Sequence, residues 1–156
     1  ETRAALEEIF RERKIQKTYW ALVRGRLRAG SGRFTFPIAE AGGVARVAAN
    51  GQAAETRWRV LVAHPTTTEV EVDLRTGRYN QVRLHFAHAG HALVGERKYA
   101  RGKQSPLALR SRRVALHAWR LAFAHPRSGK RLEVEAPLPA DLEDLRARAA
   151  ESALGS

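Results

Sequence analysis

Two residue types are missing altogether from this 156-residue chain, cysteine and methionine. The first absence excludes disulfides and thiolate metal sites and fits a cytosolic protein. The second means that Glu1 is not a translation start, so the sequence is expected to be one part of a longer product. No run of about 18 apolar residues occurs, which excludes a membrane-spanning helix, and the acidic, amphipathic N-terminus is unlike a signal peptide. No internal repeat or low-complexity tract stands out.

Acidic residues are absent from two long stretches. Residues 97–132 carry eleven Lys or Arg and no acid, and residues 14–39 carry six more, while the acids collect in 1–12 and 133–151. The net charge is +12. A basic centre of this kind attracts polyanions and makes their binding salt-dependent, which points to a nucleic-acid partner and no membrane. Arginine outnumbers lysine 23 to 5. A GC-rich genome also favours arginine and alanine, so the placement of the charge carries more of the argument than its size. Arginine is the better phosphate fork, because its planar donors reach two oxygens at once.

What is present is a folded globule of one domain, 44% hydrophobic with three Trp, five Phe and three Tyr. Apolar spacing predicts a helix over 1–14 and a strand over 15–27, with Tyr19 and Trp20 on opposite faces. Residues 28–54, rich in Gly and Ala, read as loops and short strands. Residues 55–63 and 67–74 read as a hairpin around His64 and Pro65. Residues 100–111 read as a mobile loop, 114–124 and 131–136 as a second hairpin, and 139–150 as a helix with Leu142 and Leu145 inward. The fold class is α+β, a mainly antiparallel mixed sheet with flanking helices.

The most informative stretch is TGRYNQVRLHF at 76–86. It places Arg78, Gln81 and Arg83 at the junction of a strand pattern and a helix pattern, where fixed donors face an anion. Gly77 is expected to supply the turn through a positive φ. Val82, Phe86 and Ala89 form the inward stripe of the helix, Gln81, His85 and His88 a second face, and Arg83 the border between core and cleft.

Six segments then match one family in order: KTYWALVRG at 17–25, GRFTFPI at 32–38, GQAAETRWRVL at 51–61, TGRYNQVRLHF at 76–86, GHALVGERKYA at 90–100 and RRVALHAWRLAFAHPRSGKRLEVEAPLP at 112–139. The chain resembles the C-terminal two-thirds of the catalytic domain of RluA-type pseudouridine synthases. The resemblance implies isomerisation of a uridine in structured rRNA or tRNA without a cofactor. A flipped-out uridine loses its N-glycosidic bond, the base rotates, and C5 is joined to the ribose. It also implies that Arg83 pairs with the family's nucleophilic aspartate and that Tyr19 stacks on the target base and serves in proton removal at C5. That aspartate lies in an HRLD-type motif with no counterpart here, and Asp73, Asp141 and Asp144 do not match it by context. The chain is therefore expected to be a partial catalytic domain, inactive alone, with Arg83 lacking its family partner. Arg78, Arg97, Lys98, Arg101, Lys103, Arg110, Arg112 and Arg113 are expected to hold RNA, mainly through phosphates. Two positions depart from the family pattern, Tyr79-Asn80 for Thr-His or Ser-His and Gly95-Glu96 for Gly-Asp; Glu96 keeps the charge.

Three other readings compete. His85, His88 and His91 form an HxxHxxH run, but His91 falls past Gly90 and no acid lies close before Glu96, so no metal site is assigned. Ser31, Ser111 and Ser128 lack the context of a hydrolase nucleophile. The remaining alternative is a non-catalytic RNA-binding module or pseudoenzyme of the same fold.

Overall fold

The computed structural model describes residues 2–11, 15–100 and 109–151, with the side chains of residues 9–11 left aside. The elements run α1 (Thr2–Arg11), β1 (Gln16–Arg24), β2 (Ser31–Phe34), β3 (Ile38–Ala41), β4 (Val44–Val47), β5 (Thr56–Ala63), β6 (Thr67–Leu74), α2 (Gln81–His88), β7 (Leu116–Ala124), β8 (Arg131–Glu135) and α3 (Ala140–Glu151). Six strands form one sheet in the order β2-β5-β6-β1-β7-β8, and β3 and β4 form a separate hairpin. Every named pair is antiparallel, so the described sheet has no mixed portion.

β1 is the centre of the sheet, and its alternation divides the core. Trp20 and Leu22 face one side, where they pack with Leu142, Leu145 and Ala149 of α3. Ala21 and Val23 face the other, with Val70, Val72 and the inward residues of α2, Val82 and Phe86. Phe86 is 0% exposed, and truncating such a ring costs about 3–5 kcal/mol through lost burial and the cavity left behind. On the α3 side the buried carboxylate of Glu69 accepts from the Trp20 indole at 3.0 Å and lies 2.7 Å from Nε2 of His64. A buried charge needs such partners.

The β3–β4 hairpin arises in the Gly/Ala-rich region expected to hold loops and short strands. It covers the outer side of α2, where Leu84 packs with Ile38, Ala45 and Tyr99 in a third cluster. α2 is consequently buried on two sides. The expected polar face of Gln81 and His85 does not line a cleft: Gln81 is 2% and His85 0% exposed. The expected mobile loop at 100–111 falls largely on residues 101–108, outside the described residues; Leu109 just beyond them is buried.

Candidate functional site

The turn before α2 is organised by a side chain. Gln81 accepts from Thr76 Oγ1 at 2.7 Å and from the Arg78 N–H at 3.0 Å, and its amide donates to the Glu55 carbonyl and to Thr56 Oγ1, both at 2.9 Å. Its polar atoms are thus engaged inside the protein, and the expectation that it faces an anion is corrected. Gly77 is not the left-handed residue either; Asn80 takes φ 51. Asn is among the few side chains that tolerate this region, and its amide donates to the Tyr99 hydroxyl at 2.8 Å.

His85 belongs to the same buried network. Its Nε2 lies 2.8 Å from the Phe36 carbonyl, which can only accept, so Nε2 carries the proton. Nδ1 then accepts from Thr56 Oγ1 at 2.8 Å. Burial pushes the pKa of His85 down and keeps the ring neutral. Of the other histidines, His88 packs on the Phe36 ring at 4.5 Å between centroids and His91 donates from Nδ1 to the Arg24 carbonyl at 2.9 Å. The three do not converge, and no group of three metal-ligating side chains occurs among the described residues.

Arg83 is not left without an acid. Its Nε and Nη2 donate to Oε2 and Oε1 of Glu96 at 2.6 and 2.8 Å, a bidentate fork. The Glu96 side chain is 0% exposed, whereas that of Arg83 is 25% exposed. Glu96 Oε1 also accepts from the backbone N–H groups of Lys98 at 3.0 Å and Tyr99 at 3.3 Å. Burial pushes the carboxyl upward, but the Arg83 hydrogen bonds and charge and the two backbone donors outweigh it and hold the pKa below the ordinary range. The hydrogen bonds Arg83 donates to Glu96 likewise raise the pKa of Arg83, against the opposing effect of burial. Tyr99 lies 5.5 Å below the guanidinium. The Nη1 amino group makes no hydrogen bond to a described residue, and the side chain is 25% exposed.

Tyr19 lines a cavity of about 310 Å3 with Lys17, Leu74, Arg75, Gly77 and Arg78. This volume is near the lower limit of small-molecule sites, about 300–1,000 Å3. The β1–β7 pairing shifts register between Thr18 and Tyr19, with Trp119 of β7 as the extra residue. Burial raises the phenol's pKa above its ordinary value, so it is protonated at neutral pH. Arg78 donates from Nε to the Ala53 carbonyl at 2.9 Å. Arg83 is not among the residues lining this cavity, so the two candidate catalytic residues are not brought into one pocket.

The remaining basic candidates separate. Arg97, Arg110, Arg112 and Arg113 converge on a cavity of about 520 Å3 with Asp141, Asp144 and Arg148. Arg113 lies 3.8 Å from Asp141, and Arg148 donates to Asp144 at 2.9 Å. Lys98 points elsewhere, donating to the Gly43 carbonyl at 2.5 Å between the rings of Tyr79 and Tyr99. Arg101 and Lys103 lie outside the described residues. Sequence reasoning missed Glu96 as the partner of Arg83. Its signal is present in the sequence, an acid at the position of the family's Gly-Asp.

Comparisons with known proteins agree with this fold. The family model described as RNA pseudouridylate synthase matches residues 1–88. The chain is 36% identical over 142 residues to ribosomal large subunit pseudouridine synthase C of Vibrio cholerae, covering 88% of this chain and 45% of that protein. It is 36% identical over 144 residues to ribosomal large subunit pseudouridine synthase D of Nitrosomonas europaea, covering 86% and 41%. The chain thus spans a little under half the length of these relatives. Among solved structures, human RNA pseudouridylate synthase domain containing 1 superposes with TM-score 0.75 at 25% identity, over 91% of this chain and 63% of that one.

Proposed function

This chain belongs to the RNA pseudouridylate synthase family, and from that premise we propose that the intact protein containing it isomerises a uridine of structured RNA to pseudouridine, with large-subunit ribosomal RNA as the favoured substrate and transfer RNA as the other candidate. The names of the relatives above favour ribosomal RNA. The reaction needs no cofactor and takes place in the cytoplasm. The C1′–N1 bond of the flipped-out uridine breaks, the uracil turns, C5 bonds to C1′, and the proton leaves C5 while N1 gains one.

The observation that carries this reading is Arg83, fixed by Glu96 on two donors and with Nη1 bonded to no described residue. A cation so held presents a defined edge to a second carboxylate, lowering its pKa and fixing its orientation. That carboxylate is the nucleophile. None of the three aspartates of the chain lines the Tyr19 cavity. Asp73, Asp141 and Asp144 each lie beside an arginine, Arg75, Arg113 and Arg148. In this reading the nucleophile comes from outside these 156 residues, which alone do not turn over. Tyr19, protonated at neutral pH, serves as a stacking platform and hydrogen-bond donor. The arginines around the 520 Å3 cavity hold RNA phosphates.

The alternative is an RNA-binding protein of the same fold without turnover, and the observation that favours it is that Glu96 already occupies half of the Arg83 fork. The two are separated by Arg83→Ala in the intact protein, with pseudouridine counted by mass spectrometry of digested RNA. The synthase reading expects turnover lost and RNA affinity within a few-fold of wild type. Near-normal turnover in the variant would refute the role of Arg83, and no pseudouridine from the wild type on either RNA class would leave the binding protein.

A further inference from the structure

A second recess, of about 440 Å3, adjoins the Tyr19 cavity, and the two share Gly77 and Arg78. Asn50, Gln52 and Tyr79 are among its walls. Tyr79 is 50% exposed, so its ring offers a face to a ligand. The Lys98 ammonium lies 5.3 Å from its centroid and is itself fixed on the Gly43 carbonyl, so the ring is supported from one side. Asn50 and Gln52 are exposed, and neither side-chain amide is hydrogen-bonded to a described residue. Each offers donors and an acceptor, the equipment needed to read a base edge. Arg78 stands between the recesses with Nε tied to Ala53, which leaves its terminal amino groups for an anion. Nothing lies within 4 Å of the position a Cβ on Gly77 would occupy, so no side chain fills the space over this shared wall.

We propose that this recess is a second nucleobase subsite. The nucleotide next to the one held in the Tyr19 cavity stacks on Tyr79, presents its edge to Asn50 and Gln52, and lays the connecting phosphate against Arg78. An exposed ring supplies a stacking face that every base can use, and the two amides supply the preference among bases. The subsite therefore selects the sequence context of the uridine. It rests on the reading that the Tyr19 cavity takes a flipped nucleotide.

The test uses the intact protein and stem-loop RNAs from ribosomal and transfer RNA carrying 2-aminopurine at each loop position in turn. The position next to the target uridine is expected to be quenched on binding. The quench should disappear in Tyr79→Ala, persist in Tyr79→Trp, and be accompanied in the alanine variant by a loss of affinity of roughly 5- to 150-fold, the range for removing one base stack. Asn50→Ala and Gln52→Ala should keep the quench and flatten the preference among the four bases at that position. Thermal melting of each variant checks folding; the tryptophan variant keeps the test decisive if alanine unfolds. Salt-dependent RNA binding and normal isomerisation with no change in quench or affinity in Tyr79→Ala would overturn the subsite and leave the synthase reading standing. Absence of any RNA binding by the wild type would overturn both.

Discussion

Replacing Glu96 with glutamine isolates the charge that holds Arg83. Oε1 takes three N–H groups, from Arg83 Nη2 at 2.8 Å, Lys98 at 3.0 Å and Tyr99 at 3.3 Å, and Oε2 takes Arg83 Nε at 2.6 Å. Glutamine keeps one acceptor oxygen. With that oxygen at the Oε1 position, the new amino group faces Arg83 Nε donor to donor; turned round, it faces three donors. The first arrangement loses one charge-assisted bond, about 1.5–3 kcal/mol, and weakens the others. Arg83 is 25% exposed at its side chain and can turn part of its charge to water. The cost therefore stays below the roughly 3–5 kcal/mol of breaking a fully buried pair. The expected loss is about 2–3 kcal/mol at pH 7, a fall in Tm of roughly 4–12 °C for a domain of this size.

Urea unfolding over a pH series checks the magnitude and the sign together. The folded-state pKa of Glu96 is depressed, so its stabilisation is present above the unfolded value of about 4.3 and is lost as pH falls through the folded value. The gap between wild type and Glu96→Gln should be full at about pH 6–7 and narrow steadily below about pH 4. A gap under about 0.5 kcal/mol at pH 7, or one that stays constant down to pH 3, would refute the assignment of Glu96 as the charged anchor of Arg83.

Tyr19→Phe should leave RNA affinity within about threefold of wild type in a filter-binding assay, whereas Tyr19→Ala should lose the stack, about 1–3 kcal/mol. Because burial raises the phenol's pKa, turnover of the intact protein should show no rising limb near pH 7–8 that vanishes in Tyr19→Phe; such a limb would mean that the phenolate acts as a base. Gly95 has φ +86, and a Cβ there would meet the Arg113 carbonyl oxygen at 2.2 Å. Gly95→Ala should accordingly destabilise the protein by more than about 2 kcal/mol in urea, while Gly30→Ala, in open space, serves as the near-neutral control; equal effects would show that the 95–99 loop tolerates a shift.

Strand period was legible in β1 because it buries alternate residues on its two sides, against α3 on one and α2 on the other. The alternation of Trp20 and Leu22 with Ala21 and Val23 survives as two cores. The β3–β4 hairpin was less legible. Ala39, Ala41 and Ala45 carry little apolar contrast, and its burial depends on Leu84 and Tyr99, which are distant in sequence. The same hairpin explains the misread face of α2. A helix packed between a sheet and a hairpin has apolar residues on opposite sides, and Gln81 and His85 between them are buried by having every polar atom matched. Period alone cannot distinguish a matched polar residue from a solvated one.

The arginines show the same limit most sharply. In the sequence, Arg83, Arg78 and Arg112 are alike, members of a basic excess. In the folded chain they fall into two kinds. Arg83 and Arg78 are tied by Nε to a protein oxygen, Glu96 and the Ala53 carbonyl, so the direction of each guanidinium is set before any ligand arrives. Arg97, Arg110 and Arg112 have no side-chain hydrogen bond or ion pair to a described residue and share one cavity. A held arginine presents a fixed edge and loses little rotamer entropy on binding, which suits the orientation of a reacting carboxylate or a single phosphate. A free arginine can follow a polyanion whose phosphates vary in position, which suits affinity rather than chemistry. For Arg83 the tie depends on the path of the 95–99 loop past Arg113, which carries Glu96 to a side chain 13 residues earlier. That path is a property of packing around Gly95, and no spacing within the 76–86 motif encodes it.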